Sequence, residues 1–81
     1  SGAYFISSFF DKRVQIFCVE VSTDSPLVGI AVKDIYLGLG DIKVDIFSVL
    51  RGNENLDIDD INVLVSPGDR VMYLSEKAYS S

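Results

Sequence analysis

The middle of the chain constrains the fold most, because side chains alternate in character from residue 42 to residue 51. One face of this stretch would carry Ile42, Val44, Ile46, Ser48 and Leu50, and the other Lys43, Asp45, Phe47, Val49 and Arg51. A period of two is that of a β-strand. The second face begins charged and becomes apolar midway, which indicates that it is partly covered.

Further strands are predicted on both sides of this one. Residues 13–21 are rich in β-branched and aromatic residues and predict a central strand covered on both faces. Residues 56–58 predict a short strand, and residues 61–65 alternate briefly. Residues 66–69 place proline beside glycine, which predicts a turn before a last strand at residues 70–74.

A helix is predicted between the strand at residues 13–21 and the strand at residues 42–51. Ser25 would cap it, and Pro26 would occupy its first position without losing a hydrogen-bond donor. Leu27, Ala31 and Ile35 follow at helical spacing, and Gly38 would end the helix. The predicted fold is therefore α+β: a small, mostly antiparallel, four-stranded sheet with one helix on one face, in the order β-α-β-β-β.

The length of 81 residues allows one domain with one core. The chain starts at Ser1-Gly2-Ala3 without an initiator methionine, which we interpret as the remnant of a cleaved tag. Residues 1–12 are then a tag remnant and apolar lead-in or linker, residues 13–75 the domain, and residues 76–81 a frayed tail. The apolar lead-in is expected to pack on the domain or on a partner copy.

Charge and composition exclude several classes of partner. Seven basic residues against twelve acidic ones give a net charge of −5, and the basic residues occur singly. This disfavours binding to nucleic acid or to anionic lipid. No stretch approaches the ~20 apolar residues of a membrane helix, so we expect no direct membrane insertion. The single cysteine, Cys18, is expected to be buried and reduced, which fits a cytoplasmic setting.

The chemistry-bearing motifs are incomplete. The glycines of Gly38-Leu39-Gly40 would follow a helix instead of a strand, unlike those of a phosphate-binding loop. Counted from Asp57, the sixth and twelfth positions of a calcium loop hold Asn62 and Gly68, which excludes an EF-hand. The chain has no histidine to act as a base or a zinc ligand. We therefore predict no enzymatic activity, no metal and no cofactor.

Four short motifs stand in an order typical of a known family. They are Val19-Glu20-Val21, Ser25-Pro26-Leu27-Val28-Gly29, Ser48-Val49-Leu50-Arg51-Gly52, and Pro67-Gly68-Asp69-Arg70-Val71. Together they span about sixty residues. In this order and spacing the chain resembles the TrkA-C (RCK C-terminal) domains of potassium-transport regulatory proteins.

The resemblance implies a regulatory, dimerising, ligand-sensing domain of a potassium or cation transport protein, which couples effector binding to transport. Its partners would be a second copy, a parent transporter or channel subunit, and a small-molecule nucleotide effector. It would be cytoplasmic, within or attached to an inner-membrane transport protein. The alternative is a purely structural dimerisation module without a ligand. A third hypothesis is a small enzyme fragment or a metal-binding domain.

The resemblance also assigns the effector to a groove between two copies, against Ile46, Phe47 and Arg51. Phe47 would offer a flat face for a ring, and Arg51 a fork of donors for a phosphate or carboxylate. Alternatively, Arg51 would pair with Glu54 or Asp57 across the turn. The expected dimer interface comprises Phe5, Phe9, Phe47 and Val49.

Overall fold

Five antiparallel strands form a single sheet in the computed structural model, which describes residues 3–9, 14–35 and 43–76. The strands are β1 (Ala3–Phe9), β2 (Val14–Glu20), β3 (Lys43–Arg51), β4 (Glu54–Asn55) and β5 (Arg70–Glu76). Their order across the sheet is β1-β2-β5-β3-β4. None of the helices among the described residues is long and apolar enough to cross a membrane.

The centre of the sheet consists of the three strands that the sequence predicts most clearly. β5 pairs with β2 on one side and with β3 on the other. Val71 of β5 lies opposite Val19 of β2 and Val49 of β3. β-branched side chains pack well on a pleated surface, and cross-strand contacts of this kind stabilise a sheet.

The hydrophobic core lies on one face of this sheet. Its fully buried members are five valines: Val21, Val32, Val49, Val65 and Val71. Partly buried apolar side chains from the sheet and from residues 27–35 and 56–63 pack around them. The core is therefore closed between the sheet and a layer of turns.

The predicted helix is wrong. The described part of that segment forms turns and one 3-10 helix, Val32–Asp34, and no α-helix occurs in the described ranges. The Val28 N–H donates to the Ser25 carbonyl, which closes a turn, and Gly29 then takes a φ of +84°. That left-handed conformation ends any helix at this point. The predicted helix end at Gly38 lies outside the described residues.

Backbone hydrogen bonds tie the turn layer together where helical bonds were expected. The Gly29 N–H donates to the Val65 carbonyl at 2.8 Å, and the Val65 N–H donates to the Ile30 carbonyl at 2.8 Å. The Val32 N–H donates to the Val63 carbonyl at 2.9 Å. These bonds satisfy buried backbone groups between two segments that are distant in sequence, as buried groups require. Between these bonds, Ala31 forms an isolated antiparallel β-bridge with Leu64.

The fold class is corrected accordingly: the described chain is nearly all sheet, with five strands and no α-helix instead of four strands and one helix. The fifth strand, β1, comes from the predicted lead-in, since Ala3–Phe9 pairs with Val14–Val19. The predicted start of the middle strand at Ile42 lies outside the described residues. So do the tail residues after Glu76.

Candidate functional site on strand β3

An irregularity in β3 decides where its side chains point. The pairing of β3 with β5 shifts register between Ile46 and Ser48, so that Phe47 is the extra residue of a bulge. Ile46 lies opposite Tyr73, and Val49 lies opposite Val71. Because the partner residues are two apart on β5, Ile46 and Val49 share one face of the sheet. The strict alternation predicted from the sequence is therefore broken at Phe47.

The bulge separates two residues that were both expected at a dimer interface. Val49 faces the core and is 0% exposed, whereas Phe47 is 43% exposed. Val49 therefore presents no surface to a partner while the domain keeps this fold. Phe47 keeps a free ring surface that could receive a ligand ring or a second copy.

Ile46 lines a cavity of about 290 Å³ between β3 and the turn layer. Its described lining residues are Val32, Lys33, Ile35, Val44, Asp45, Ile46, Ile58 and Asp59. The apolar members are buried or half-buried, and the three charged members are exposed. The cavity is thus lined by five apolar side chains and by one ammonium and two carboxylates.

Arg51 lies at the far end of β3, in an internal ion pair with Asp69. Its Nε donates to Asp69 Oδ1 at 3.0 Å and its Nη2 to Asp69 Oδ2 at 3.0 Å, a bidentate geometry. Nη2 also donates to the Leu64 carbonyl at 2.8 Å and to Ser66 Oγ at 3.1 Å. We call these four residues, Arg51, Leu64, Ser66 and Asp69, the Arg51 corner.

The electrostatics of the Arg51 corner favour the charged forms of both partners. Asp69 is only 1% exposed, and such burial by itself would raise the pKa of its carboxyl group. The hydrogen bonds from Arg51 and from the Ser66 N–H outweigh burial and lower that pKa below its ordinary value. The hydrogen bond to Asp69 in turn raises the pKa of Arg51.

The structure does not bring the predicted effector residues together. Ile46 lines the cavity and Phe47, the next residue of β3, is not one of the lining residues. Arg51 lies roughly 13 Å beyond Phe47, at about 3.3 Å per strand residue. The alternative pairing of Arg51 with Glu54 or Asp57 is replaced by the pair with Asp69. With Nε and Nη2 held by protein groups, Arg51 is a poor candidate for an effector donor.

The predicted interface phenylalanines Phe5 and Phe9 lie on β1. Phe9 is 49% exposed. Phe5 is 54% exposed, although its ring meets the edge of Phe17 at 5.9 Å between centroids. Phe17 in turn stacks on Tyr73 at 5.6 Å, and burial raises the pKa of the Tyr73 hydroxyl. An aromatic row therefore runs from the edge of the sheet to its centre.

Sequence reasoning missed the charged residues at the cavity and the partner of Arg51. Asp69 accepts a hydrogen bond from the Ser66 N–H of its own turn at 2.8 Å. Its bond to a residue 18 positions away leaves no mark in a single sequence. Within the described ranges, no three histidine, cysteine or acidic side chains are grouped so that they could hold a metal ion.

Comparison of the chain with protein-family models, with curated proteins and with solved structures gives no match.

Proposed function

We propose that the chain is a non-catalytic regulatory domain of a potassium or cation transport protein, acting as a homodimer. The observation that carries this proposal is the contact between two of the motifs that resemble TrkA-C domains. Arg51-Gly52 and Gly68-Asp69 are far apart in sequence, and the Arg51–Asp69 ion pair joins them. Gly52 and Gly68 both adopt positive φ, at +61° and +87°, and so shape the turns that hold the pair.

A third motif packs into the same layer. Ser25 Oγ accepts the Leu27 N–H at 3.1 Å within the Ser-Pro-Leu-Val-Gly turn. Gly29 at the end of that turn donates to the carbonyl of Val65, next to Ser66 of the Arg51 corner. Residues that recur together in a family are expected to contact one another for a shared structural reason. The proposal draws on this arrangement, in which three of the four motifs are joined by hydrogen bonds among residues 25–29, 51–52 and 64–69.

Regulation by this domain would work through a shift between two dimer geometries. A ligand that binds one geometry more tightly increases its population, and the parent protein follows. The ligand surface in this proposal consists of the cavity at Ile46 and the exposed ring of Phe47, with Lys33 as the nearby cation. Arg51 is assigned to the fold instead of the ligand.

The second candidate is a structural dimerisation module without a ligand. The observation that favours it is the ion pair of Arg51 with Asp69 in the same chain, which takes Arg51 away from a ligand at Ile46 and Phe47. Under this alternative the domain would hold two copies of the parent protein together and would sense nothing.

A thermal-shift screen of nucleotides and cyclic dinucleotides separates the two candidates. The sensing proposal predicts that at least one compound raises the melting temperature of the wild-type chain. The increase should be lost in Phe47→Ala and kept in Ile61→Ala, since Ile61 is a 63% exposed residue of the turn layer. If no compound changes the melting temperature, the structural module is the better account.

A further inference from the structure

The two edges of the sheet differ in how they are protected. β1 lies at one end of the strand order and, within the part of the chain that the structure describes, pairs with β2 alone. β4, at the other end, is only two residues long. Short strands, charged side chains and proline are the usual means by which proteins prevent unwanted pairing at an edge. β1 has seven residues, none charged and none proline, and a register shift between Phe5 and Ser7 is its one irregularity.

Both faces of β1 expose large apolar side chains. Tyr4 and Phe9 lie opposite Cys18 and Val14, which share one face of β2, whereas Phe5 lies opposite Phe17 on the other face. The exposed fractions are 49% for Tyr4, 54% for Phe5, 45% for Ile6 and 49% for Phe9. An element packed on one face of the sheet would cover only part of this set. A strand placed alongside β1 would bury side chains on both faces and also pair the free backbone groups.

Charge points to a second copy of the chain as that strand. The whole chain carries −5, so two copies repel each other at most surfaces. β1 carries none of the charged residues and is a neutral segment on which two copies can meet. A two-fold axis would place the same strand on both sides, antiparallel to itself.

The area involved is consistent with such a contact. An aromatic side chain has roughly 200 Å² to bury, so a half-exposed one leaves about 100 Å². The three exposed aromatic side chains of β1 therefore offer about 300 Å² per copy, and Ile6 adds to this, against the ~800 Å² that each partner buries in a stable interface. The backbone of the strand and the flanking rings would add to this.

We infer that the domain dimerises by antiparallel pairing of β1 with β1 of a second copy, which continues the sheet across the two-fold axis. The inference rests on the proposed function for the dimer itself and adds the surface through which it forms. Ile6 is the central residue of β1, so the two Ile6 residues would lie nearest the axis.

Sedimentation equilibrium of the 81-residue chain at about 50 µM tests the inference. Wild type and Ile61→Lys should be dimers, and Ile6→Lys should be a monomer or dissociate at least tenfold more readily. Ile61→Lys is the matched control, because it makes the same change at an exposed isoleucine far from β1. If Ile6→Lys dimerises as tightly as wild type, the β1 pairing is refuted while the dimer of the proposed function stands. A monomeric wild-type chain would overturn both.

A second variant covers the case in which Ile6→Lys does not fold. Ile6→Cys should form a disulfide-linked dimer under mild oxidation, because residues directly opposite each other in adjacent strands have Cβ atoms about 5 Å apart. Ile61→Cys should remain largely monomeric on a reducing-agent-free gel, and the buried Cys18 of the wild type sets the background. Equal cross-linking at positions 6 and 61 would contradict the inferred pairing.

Discussion

Two regions of the molecule differ in whether a single copy of the chain covers and pairs their residues. One is the Arg51 corner. The other is the outer side of β1, meaning the edge of that strand away from β2 together with its exposed side chains. At the corner, Asp69 is buried and bonded to Arg51 and to the Ser66 N–H, and Val65 and Val71 beside it are fully buried. On β1, four large apolar side chains are each about half exposed. Every buried polar side-chain atom among the described residues has a hydrogen-bond partner. The corner is thus complete within one copy of the chain, whereas β1 is not.

The difference separates the part of the sequence that makes the monomer from the part that needs a partner. Changes at the corner should lower the stability of a single copy. Changes on the outer side of β1 should alter association first. The largest effects on stability are expected at the corner.

Replacing Arg51 by alanine should lower the free energy of unfolding by about 2–3 kcal/mol, because it leaves the buried Asp69 carboxylate without its counter-charge. The matched control is Arg70→Ala. Arg70 donates one side-chain bond to another described residue, to the Gly52 carbonyl at 3.0 Å, and its loss should cost about 0.5–1 kcal/mol. Urea unfolding of both variants measures the two values. Equal losses of unfolding free energy in the two variants would mean that Arg51 contributes no more to stability than Arg70 does.

The same ion pair predicts acid sensitivity. The pKa of Asp69 is lowered in the folded chain relative to about 3.9 in an unfolded one. Its contribution to stability is therefore complete above about pH 5 and is lost as the pH falls through the folded pKa. Asp69→Asn should lower stability at pH 7 and flatten its decline between about pH 5 and pH 2, as followed by thermal unfolding.

Asp24 provides the control for this experiment. Its pKa is also lowered, by the hydrogen bond from Ser22 Oγ at 2.8 Å, but its side chain is exposed. Asp24→Asn should leave the acid-induced decline nearly as steep as in wild type. If Asp24→Asn flattens the decline as much as Asp69→Asn does, the Arg51–Asp69 ion pair is not the cause of the acid sensitivity.

Gly29→Ala tests whether residues 25–35 form turns or a helix. With φ at +84°, an alanine would be strained and should cost about 1–2 kcal/mol, although its Cβ would meet nothing within 4 Å. In a helix the same substitution would stabilise by about 1 kcal/mol. Gly29→Asn should cost less than Gly29→Ala, because asparagine tolerates this conformation better. If Gly29→Ala instead stabilises the chain, a helix over residues 25–35 is favoured over the turns.

The central strands were predictable because they alternate or are rich in β-branched residues between clear turns. The helix was not, because Ser25 followed by Pro26 opens a tight turn as readily as a helix. Leu27 and Ile35 sit at helical spacing, yet both pack on the core from turns. β1 was not predicted as a strand, because residues 10–13 contain neither glycine nor proline to indicate a hairpin turn.

The candidate site was predictable only in part, for two physical reasons. The bulge at Phe47 shifts every later residue of β3 to the other face of the sheet, which buries Val49. The alternation of residues in the sequence gives no sign of this bulge. Arg51 ends β3, whereas its partner Asp69 lies in the turn directly before β5. Because the two residues are far apart in sequence, no local spacing identifies Asp69 as the partner. Phe5 and Phe9 were predicted to pack on the domain or on a partner copy, and in a single copy they are about half exposed.

Hydrogen exchange of the unmodified chain at two concentrations, about 1 µM and about 100 µM, tests the central contrast most directly. The amides of Val21, Val65 and Asp69 have partners within the same copy and should exchange slowly at both concentrations. The amides of β1 that point away from β2 should exchange fast in the dilute sample and be protected in the concentrated one. The account is contradicted if β1 exchanges at the same rate in both samples, or if the amides of the Arg51 corner exchange as fast as those of the outer side of β1.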